Sequence, residues 1–403
     1  MKIFIPTIGS QGDIVPFIAL AQGLIQAGHT VILGSHPVMK NLVESHGVTF
    51  NPIGPDIDLA EEVAAIRRQA GNTAFGLVQG MRFGFKMLER SHDDILLECQ
   101  KADLVVVPAA IGAGKNEAEL LNVPYLSVTF MPWAIPWDDP GRPLIKRILY
   151  KAIDGLVSLI TTQPLNRIRK RQGLPPVGKE GFTSPRLNLI PISPAVYPPN
   201  PLWEPRHRVV GYWFAEPPNG WKPPKELLSF LENGDPPVLI TLGAMSLGDE
   251  QAIASANLFV NAIQQAEVRG IIQGWEKGIS QLDLPSNIYA SEWVPHSWLI
   301  PHCSGVVHHG GYGTTAAGLR AGIPALVIPH IADQFYWGER VYELSAGLKP
   351  ISRRKLDVNG LAQRLDRLVR NQEIHLNASK LGEIIRAENG IGKAVRLIEE
   401  SFV

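Results

Sequence analysis

The sequence predicts an α/β protein built from two halves, each an open sheet of parallel strands with helices on its faces. Three observations lead to this prediction. At 403 residues the chain is longer than one hydrophobic core ordinarily covers. Apolar runs of strand length alternate with segments of helical spacing in both halves. Residues 191–224 lie between the halves and hold the densest proline of the chain, which is typical of a linker or a domain boundary.

The composition is that of an ordinary globular protein, with 45% apolar and 19% charged residues. The 38 basic and 38 acidic residues cancel, and no long Lys/Arg stripe is present, so we expect no nucleic-acid partner. Cys99 and Cys303 are far apart and lack metal-ligand spacing, which favours a reducing compartment. The first residues have the pattern of a strand and not of a signal peptide, and no window reaches the roughly 20 apolar residues of a membrane span. A cytoplasmic location is therefore expected.

The first half opens with a βαβ pattern. An apolar strand is predicted at Lys2–Pro6, a loop at Gly9–Gly12, a helix at Asp13–Ala27 and a second strand at Thr30–Leu33. The pattern repeats more loosely, with strands at Val48–Pro52, Leu104–Val107 and Tyr125–Val128 and a helix at Glu117–Leu121. These repeats predict a parallel sheet.

Two segments of the first half are rich in aromatic or sulfur-containing side chains. Gly76–Met87 contains Phe83, Phe85 and Met87, and Phe130–Trp137 contains Trp133 among prolines. Such residues could line an apolar pocket for a hydrophobic small molecule or a lipid. The alternatives are an ordinary core helix and ordinary loop anchors, and the sequence leaves both open.

Residues Arg142–Lys151, which include Lys146, alternate basic and apolar side chains at helical spacing. A basic amphipathic helix can rest on an anionic membrane, so a peripheral membrane contact is one expectation. A solvated helix face is the alternative.

The second half repeats the α/β order. Strands are predicted at Pro237–Leu242, Arg269–Gln273, Asn287–Ala290 and Ala325–Ile328, and helices at Glu250–Gln265, Thr314–Ala321 and Leu356–Leu368. Two further helices, Leu376–Asn389 and Gly392–Ser401, have no strand after them and could pack across the domain boundary. We therefore predict domains at 1–215 and 216–385 and a C-terminal helical segment at 386–403.

The most informative stretch runs from Val306 to Gln334. A short strand is followed by His308 and His309, and three glycines then open a helix of small residues: Gly310, Gly311 and Gly313. Glycine lets the backbone approach a ligand closely, and a helix N-terminus offers free amides and roughly half a positive charge. His309 could add a donor or a charge. The next strand delivers Asp333 and Gln334 to the edge of a parallel sheet where ligands bind, so the stretch predicts an anion site.

These motifs also allow other interpretations. Gly311–Ala316, with Asp333 about twenty residues on, also fits the dinucleotide-binding fingerprint. Two histidines end the preceding strand, however, and Asp333 lies several residues beyond the following strand. Adjacent histidines on a strand point to opposite faces, so they do not easily bind one metal. Gly112–Asn116 resembles a phosphate-binding loop but lacks its first glycine, which favours a plain helix start.

Asp13 follows Gly12 at a strand-to-helix turn. Its structural role would be that of a first-turn acid favoured by the helix dipole, worth under about 1 kcal/mol. Its functional role would be that of a general base at the carboxyl edge of the sheet. Position alone leaves both open.

Four segments resemble the GT-B glycosyltransferases of the UDP-glycosyltransferase family, in particular sterol glucosyltransferases and bacterial antibiotic glycosyltransferases. They are Gly9–Pro16, Trp293–His296, His308–Gly318 and Asp333–Arg340. The match covers both halves in the right order, and the run from His308 to Arg340 is highly specific. The resemblance implies two facing Rossmann-like domains, with the acceptor bound in the first and the nucleotide-sugar donor in the second, and inversion at the anomeric carbon without a bound metal or other cofactor.

Residue by residue, the resemblance assigns Asp13 as the base and Trp293 as the aromatic that stacks on the donor base, with the backbone of Val294 at the base edge. It assigns Asp333 and Gln334 to the sugar hydroxyls. The diphosphate would be held by His309, by the loop at Gly243 and by the backbone and hydroxyls of the helix start: Gly311, Gly313, Thr314 and Thr315.

Three positions depart from the family pattern. Gln11 stands where these branches usually have Arg, and Ala244 replaces a Ser that could donate to phosphate. Ala317 stands where plant members have a ribose-binding Glu, which leaves the choice between UDP and dTDP open. The expected activity is transfer of a hexose, glucose from UDP-glucose or a sugar from a dTDP-sugar, to a hydroxyl of a sterol, terpenoid or aromatic natural product. The alternatives are a catalytically silent sugar-nucleotide-binding partner and an NAD-dependent oxidoreductase.

Overall fold

The computed structural model describes residues 1–57, 61–62, 65, 74–132, 135, 155, 162–178, 181–242, 249–274, 276–280, 282–331 and 333–403. The chain divides into two compact units, residues 1–215 with 389–403 and residues 216–388. The regular elements up to residue 215 are β1 Lys2–Pro6, α1 Gln11–Gln26, β2 Thr30–Ser35, α2 Lys40–Ser45, β3 Thr49–Pro52, α3 Ala74–Arg90, α4 His92–Cys99, β4 Leu104–Pro108, α5 Lys115–Leu121, β5 Tyr125–Val128, α6 Thr162–Arg171, β6 Asn188–Ile190 and β7 His207–Val209.

The elements after residue 215 are α7 Lys225–Glu232, β8 Val238–Thr241, α8 Asp249–Gln265, β9 Gly270–Gln273, α9 Glu276–Ile279, β10 Ile288–Ser291, α10 His296–Leu299, β11 Gly305–His308, α11 Tyr312–Ala321, β12 Ala325–Val327, α12 Gln334–Glu343, β13 Gly347–Leu348, α13 Val358–Arg370, α14 Gln372–Ala387 and α15 Gly390–Phe402. Helix α15 belongs to the first unit and the others to the second.

Each unit contains one sheet of parallel strands. The first sheet has the order β3-β2-β1-β4-β5-β6-β7, and the second has the order β10-β9-β8-β11-β12-β13. In each sheet the chain builds strands outward on one side and then returns to the middle, so the strand order reverses between β1 and β4 and between β8 and β11. Such a reversal leaves a crevice at the carboxyl ends of the strands, which is where open α/β sheets bind ligands.

The strands are apolar because helices cover both faces of each sheet. In β4 the four residues Leu104–Val107 are fully buried, as are Val238–Ile240 of β8. One face of the first sheet packs in a cluster that includes Phe17 of α1 together with Ala394 and Ile398 of α15. A side chain at Gly23 of α1 would collide with Ile391, so the glycine lets α15 approach closely. The C-terminal helix is thus part of the core of the first unit.

The structure also differs from the sequence prediction. Strand β7 lies inside the proline-rich segment that was predicted to be a linker. The units divide between residues 215 and 216, at the position predicted for the domain boundary. Strands β6 and β13 were not predicted either, since three and two residues give no readable alternation. The basic segment Arg142–Lys151 lies outside the described residues. Within the described part of the chain, no helix combines the length and apolarity needed to cross a membrane.

Candidate functional site

The crevice of the second sheet is formed where β11 ends at His308, next to Thr241 of β8 and Val327 of β12. The chain then turns at Gly310, whose φ of +89° lies in the left-handed region. A Cβ at Gly310 would lie 2.8 Å from the carbonyl oxygen of Gln334 and 2.8 Å from Val327. Only glycine fits this turn without strain. Its close packing brings the glycine-rich motif against the start of α12, so the two motifs predicted from the sequence meet here.

Helix α11 begins beside this turn, with Gly311 as its N-cap. The ring of His309 lies over that cap, because a Cβ at Gly311 would collide with Nε2 of His309. A Cβ at Gly313 would meet no atom within 4 Å. The first amides of a helix have no partner within it. Open space at Gly313, an imidazole and helical amides therefore occur together, as an anion site requires.

The hydroxyls at this helix start are directed at protein acceptors. Thr315 Oγ1 donates to the carbonyl oxygen of Gly311 at 2.9 Å, and Thr314 Oγ1 lies 3.5 Å from Nδ1 of His296. The backbone amides are thus the better-placed donors. A phosphate contact from the Thr315 hydroxyl, as the family resemblance implies, would require its bond to Gly311 to open.

Two histidines of this unit are held neutral. Burial, together with the nearby His309 and His296, lowers the pKa of His308 to about 3, and burial lowers the pKa of His296 to about 4. The amide of Gly310 donates to Nδ1 of His308 at 3.1 Å, so the ring proton of His308 sits on Nε2. These rings contribute hydrogen bonds instead of charge. No group of three His, Cys, Asp or Glu side chains in the described ranges could hold a metal ion.

Trp293 lies on the loop that follows β10. Its side chain is 48% exposed, whereas the neighbouring Val294 is buried in an apolar cluster with Leu239 and Leu299. An exposed indole on an anchored backbone offers a flat apolar surface at the carboxyl edge of the second sheet.

The loop is held by a residue that the sequence analysis missed. Gln273, buried at the carboxyl end of β9, donates through its amide nitrogen to the carbonyl oxygens of Glu292 (3.3 Å) and Val294 (3.2 Å). Nε2 of His296 lies 2.8 Å from the amide oxygen of Gln273. The available signal was a polar side chain ending an otherwise apolar run.

The start of α12 holds Asp333 and Gln334. The amide oxygen of Gln334 accepts hydrogen bonds from the backbone N–H groups of His330 (2.8 Å) and Ile331 (3.1 Å). One carboxylate oxygen of Asp333 accepts from the indole N–H of the buried Trp337 at 3.2 Å. Both side chains are thus fixed by neighbouring groups, and the amide nitrogen of Gln334 is the part of that side chain suited to donate to a ligand.

In the first unit, Asp13 stands at the start of α1, beside the crevice between β1 and β4. Both the backbone N–H and the hydroxyl of Ser10 donate to Oδ2 of Asp13 at 2.8 Å. A Cβ at Gly9 would lie 2.6 Å from that oxygen, so the loop wraps tightly around the carboxylate. The described hydrogen bonds all go to Oδ2, which leaves Oδ1 to accept a proton. Asp13 therefore caps the helix through Oδ2, while Oδ1 is placed to act as a base.

The environment of Asp13 favours that second role. Desolvation raises the pKa of its carboxyl, while the two Ser10 bonds act in the opposite direction. The side chain is nevertheless exposed to solvent. A base with a raised pKa that a substrate can still reach is suited to proton transfer.

The residues predicted to line an acceptor pocket fall into two groups. Met87 and Phe85 are buried in the core of the first unit with Phe4 and Leu88, and Phe83 packs half-buried against this cluster. Their surroundings are those of the core helix that the sequence left open as an alternative. Trp133 and Gly243 lie outside the described residues.

The chain resembles known glycosyltransferases over its length. A family model described as the glycosyltransferase family 28 N-terminal domain matches residues 3–135, and one described as the erythromycin biosynthesis protein CIII-like C-terminal domain matches residues 266–391. The sterol 3-beta-glucosyltransferase UGT80B1 of Arabidopsis thaliana is 33% identical over 98% of this chain and 67% of its own. The O-mycaminosyltylonolide 6-deoxyallosyltransferase of Streptomyces fradiae is 32% identical over 99% of this chain and 97% of its own.

Among solved structures, the glycosyltransferase VinC in complex with dTDP superimposes with a TM-score of 0.72 at 22% identity, covering 99% of this chain and 100% of that one. This likeness concerns the fold, since the identity is low. Together with the two parallel-sheet units, it establishes the predicted GT-B architecture. The relatives at 32% and 33% identity, which match at least 98% of this chain, establish more than a fold. The chain is a glycosyltransferase, and it belongs to the GT-B enzymes of the UDP-glycosyltransferase family.

Proposed function

We propose that the enzyme inverts configuration as it transfers a hexose, glucose from UDP-glucose, to a hydroxyl of an apolar acceptor such as a sterol, a terpenoid or an aromatic natural product. The observation that carries the choice of substrates is the likeness to a sterol 3-beta-glucosyltransferase over 98% of the chain. The arrangement of Asp13 and of the α11 N-terminus supports the chemistry.

In this proposal the first unit provides the base. Oδ1 of Asp13 accepts the proton of the acceptor hydroxyl while Ser10 holds Oδ2 in place. The hydroxyl oxygen attacks the anomeric carbon from the face opposite the nucleotide, and the bond from that carbon to the diphosphate oxygen breaks. One such displacement inverts the anomeric centre. A positioned base of this kind is worth about 10² to 10⁴ in rate.

The second unit binds the donor. Trp293 stacks on the base, with the backbone of Val294 at the base edge. His309 and the first amides of α11, at Gly311, Gly313 and Thr314, receive the diphosphate, whose negative charge grows as it leaves. Asp333 and the amide nitrogen of Gln334 bind the sugar hydroxyls. We assign no step to a metal ion, so chelation by EDTA should leave turnover unchanged.

A second candidate differs only in its substrates: a deoxyhexose carried on dTDP and an acceptor of the O-mycaminosyltylonolide type. It is favoured by the 32% identity to a 6-deoxyallosyltransferase over nearly the whole of both chains. Ala317 supports it too, because it offers no side-chain acceptor to a ribose 2′-hydroxyl.

The two candidates separate in one experiment. The protein is incubated with UDP-glucose, dTDP-glucose or a dTDP-deoxyhexose and a pooled panel of sterols, terpenoids, phenolics and O-mycaminosyltylonolide, and nucleotide release and product mass are followed. Release of UDP with a sterol that is heavier by one hexose supports the first candidate. Preference for a dTDP-linked sugar supports the second. Nucleotide binding without transfer to any compound of the panel would refute the proposed acceptors.

A further inference from the structure

The buried side chain of Gln273 makes all its described hydrogen bonds to the loop that carries Trp293 and to the ring of His296. Gln273 ends β9 and pairs in register with Thr241 of β8 on one side and Ser291 of β10 on the other. Its amide nitrogen reaches the carbonyl oxygens on either side of Trp293.

The orientation of this amide is determined by its partners. The two N–H bonds of the nitrogen go to two carbonyl oxygens, those of Glu292 and Val294. The oxygen must therefore face Nε2 of His296, which donates to it at 2.8 Å. The flipped amide would place its oxygen against two other oxygens and its N–H group against an N–H. Burial keeps His296 neutral, which agrees with a single ring proton on Nε2.

From this geometry we infer that Gln273 is a positioning residue for Trp293, and that His296 locks Gln273 in the orientation that this role needs. The inference rests on the proposed role of Trp293 as the surface on which the donor base stacks. The hydrogen bonds described for Gln273 go to two backbone carbonyl oxygens and to His296, and none of them goes to the indole. It fixes the peptide before Trp293 and the carbonyl of Val294, and so determines the direction in which the exposed indole points.

The test divides the donor into its parts. Affinities for uridine, for pyrophosphate and for UDP are measured by calorimetry on the full chain and its variants. Gln273→Leu should weaken the binding of uridine and of UDP by the same factor, about fivefold, as expected from a misplaced aromatic surface. The affinity for pyrophosphate should not change. In turnover the KM for the donor should rise by the same factor while kcat stays within about twofold.

Variants at position 296 change the hydrogen bond to the amide oxygen of Gln273 without changing Gln273 itself. His296→Asn loses the Nε2 donor and should weaken uridine binding. His296→Gln restores a donor near the Nε2 position and should regain wild-type affinity. These variants keep the test valid if Gln273→Leu does not fold. The control is Gln264→Leu, which removes an exposed glutamine of the same unit that bonds to Asn287 and should change none of the affinities.

A double variant separates positioning from a general loss of structure. If Gln273 acts through Trp293, then Gln273→Leu combined with Trp293→Ala binds uridine no more weakly than Trp293→Ala alone. Additive losses would overturn the inference, as would unchanged uridine affinity in both Gln273→Leu and His296→Asn. If Trp293→Ala weakens uridine binding while neither of these variants does, the proposed donor site stands and this inference alone fails. A wild-type protein that binds neither uridine nor UDP would overturn both.

Discussion

Replacing Gly310 with alanine tests how the proposed donor site is assembled. At its φ of +89° an L-residue pays roughly 1–2 kcal/mol in backbone strain. The added Cβ would also lie 2.8 Å from the carbonyl oxygen of Gln334 and from Val327, and such overpacking adds about 1–3 kcal/mol. The sum predicts that the free energy of unfolding falls by about 2–5 kcal/mol. Because the Gln334 contact is to backbone, relief requires the start of α12 to move away from the α11 N-terminus.

The movement should be visible in binding as well as in stability. Gly310→Ala is expected to lower the urea midpoint and to weaken UDP binding by at least about tenfold, since two parts of the site separate. Gly322→Ala is the matched control. Gly322 lies at the other end of α11, has a φ of +73°, and would place a Cβ 3.1 Å from Ser379. The Gly322→Ala substitution should therefore lower the free energy of unfolding without changing the affinity for UDP. Wild-type UDP affinity in a folded Gly310→Ala protein would refute the reasoning.

Three further predictions concern ionisable groups. Asp13→Asn should lower kcat by about 10² to 10⁴ while UDP affinity stays near wild type, measured by turnover and calorimetry; unchanged kcat would remove Asp13 from the mechanism. Ser10→Ala removes a bond that lowers the pKa of Asp13, so the acid limb of the pH profile of kcat/KM should move to higher pH; an unmoved limb would show that another group controls it. Folding lowers the pKa of His308 to about 3 and the pKa of His296 to about 4, whereas both are 6.5 in the unfolded chain. At pH values between the folded and the unfolded pKa, the unfolded chain therefore binds more protons than the folded protein. The free energy of unfolding should therefore fall as the pH drops from 6.5 toward 4, by up to about 1.4 kcal/mol per pH unit for each histidine. Equal urea midpoints at pH 7 and at pH 5 would contradict this prediction.

The sequence predicted the fold best where burial leaves a local pattern. Strands β4 and β8 are covered on both faces, so each appears as an unbroken apolar run. Strand β7, with the sequence His-Arg-Val, has no such pattern and sits among prolines that favour a linker. Its structure comes from parallel pairing with β6, a tertiary contact that no local window contains.

In the candidate site, too, the local features were predictable and the tertiary contacts were not. The glycines at 310, 311 and 313 predicted a turn into a helix start because their conformational freedom is a local property. Hydrogen-bond partners are not local. Gln273 faces the Trp293 loop only because β9 and β10 align at their carboxyl ends. Likewise the Thr315 hydroxyl, which the motif suggested for phosphate, donates instead to the carbonyl four residues before it.

The return of residues 389–403 to the first unit has a consequence for biosynthesis. During translation residues 216–388 leave the ribosome before α15 does, so the second unit can complete its core while the first still lacks Ala394 and Ile398. The apolar side chains of α1 that α15 covers stay exposed during this interval. The unit whose synthesis begins first therefore cannot complete its core until residues 389–403 have been made.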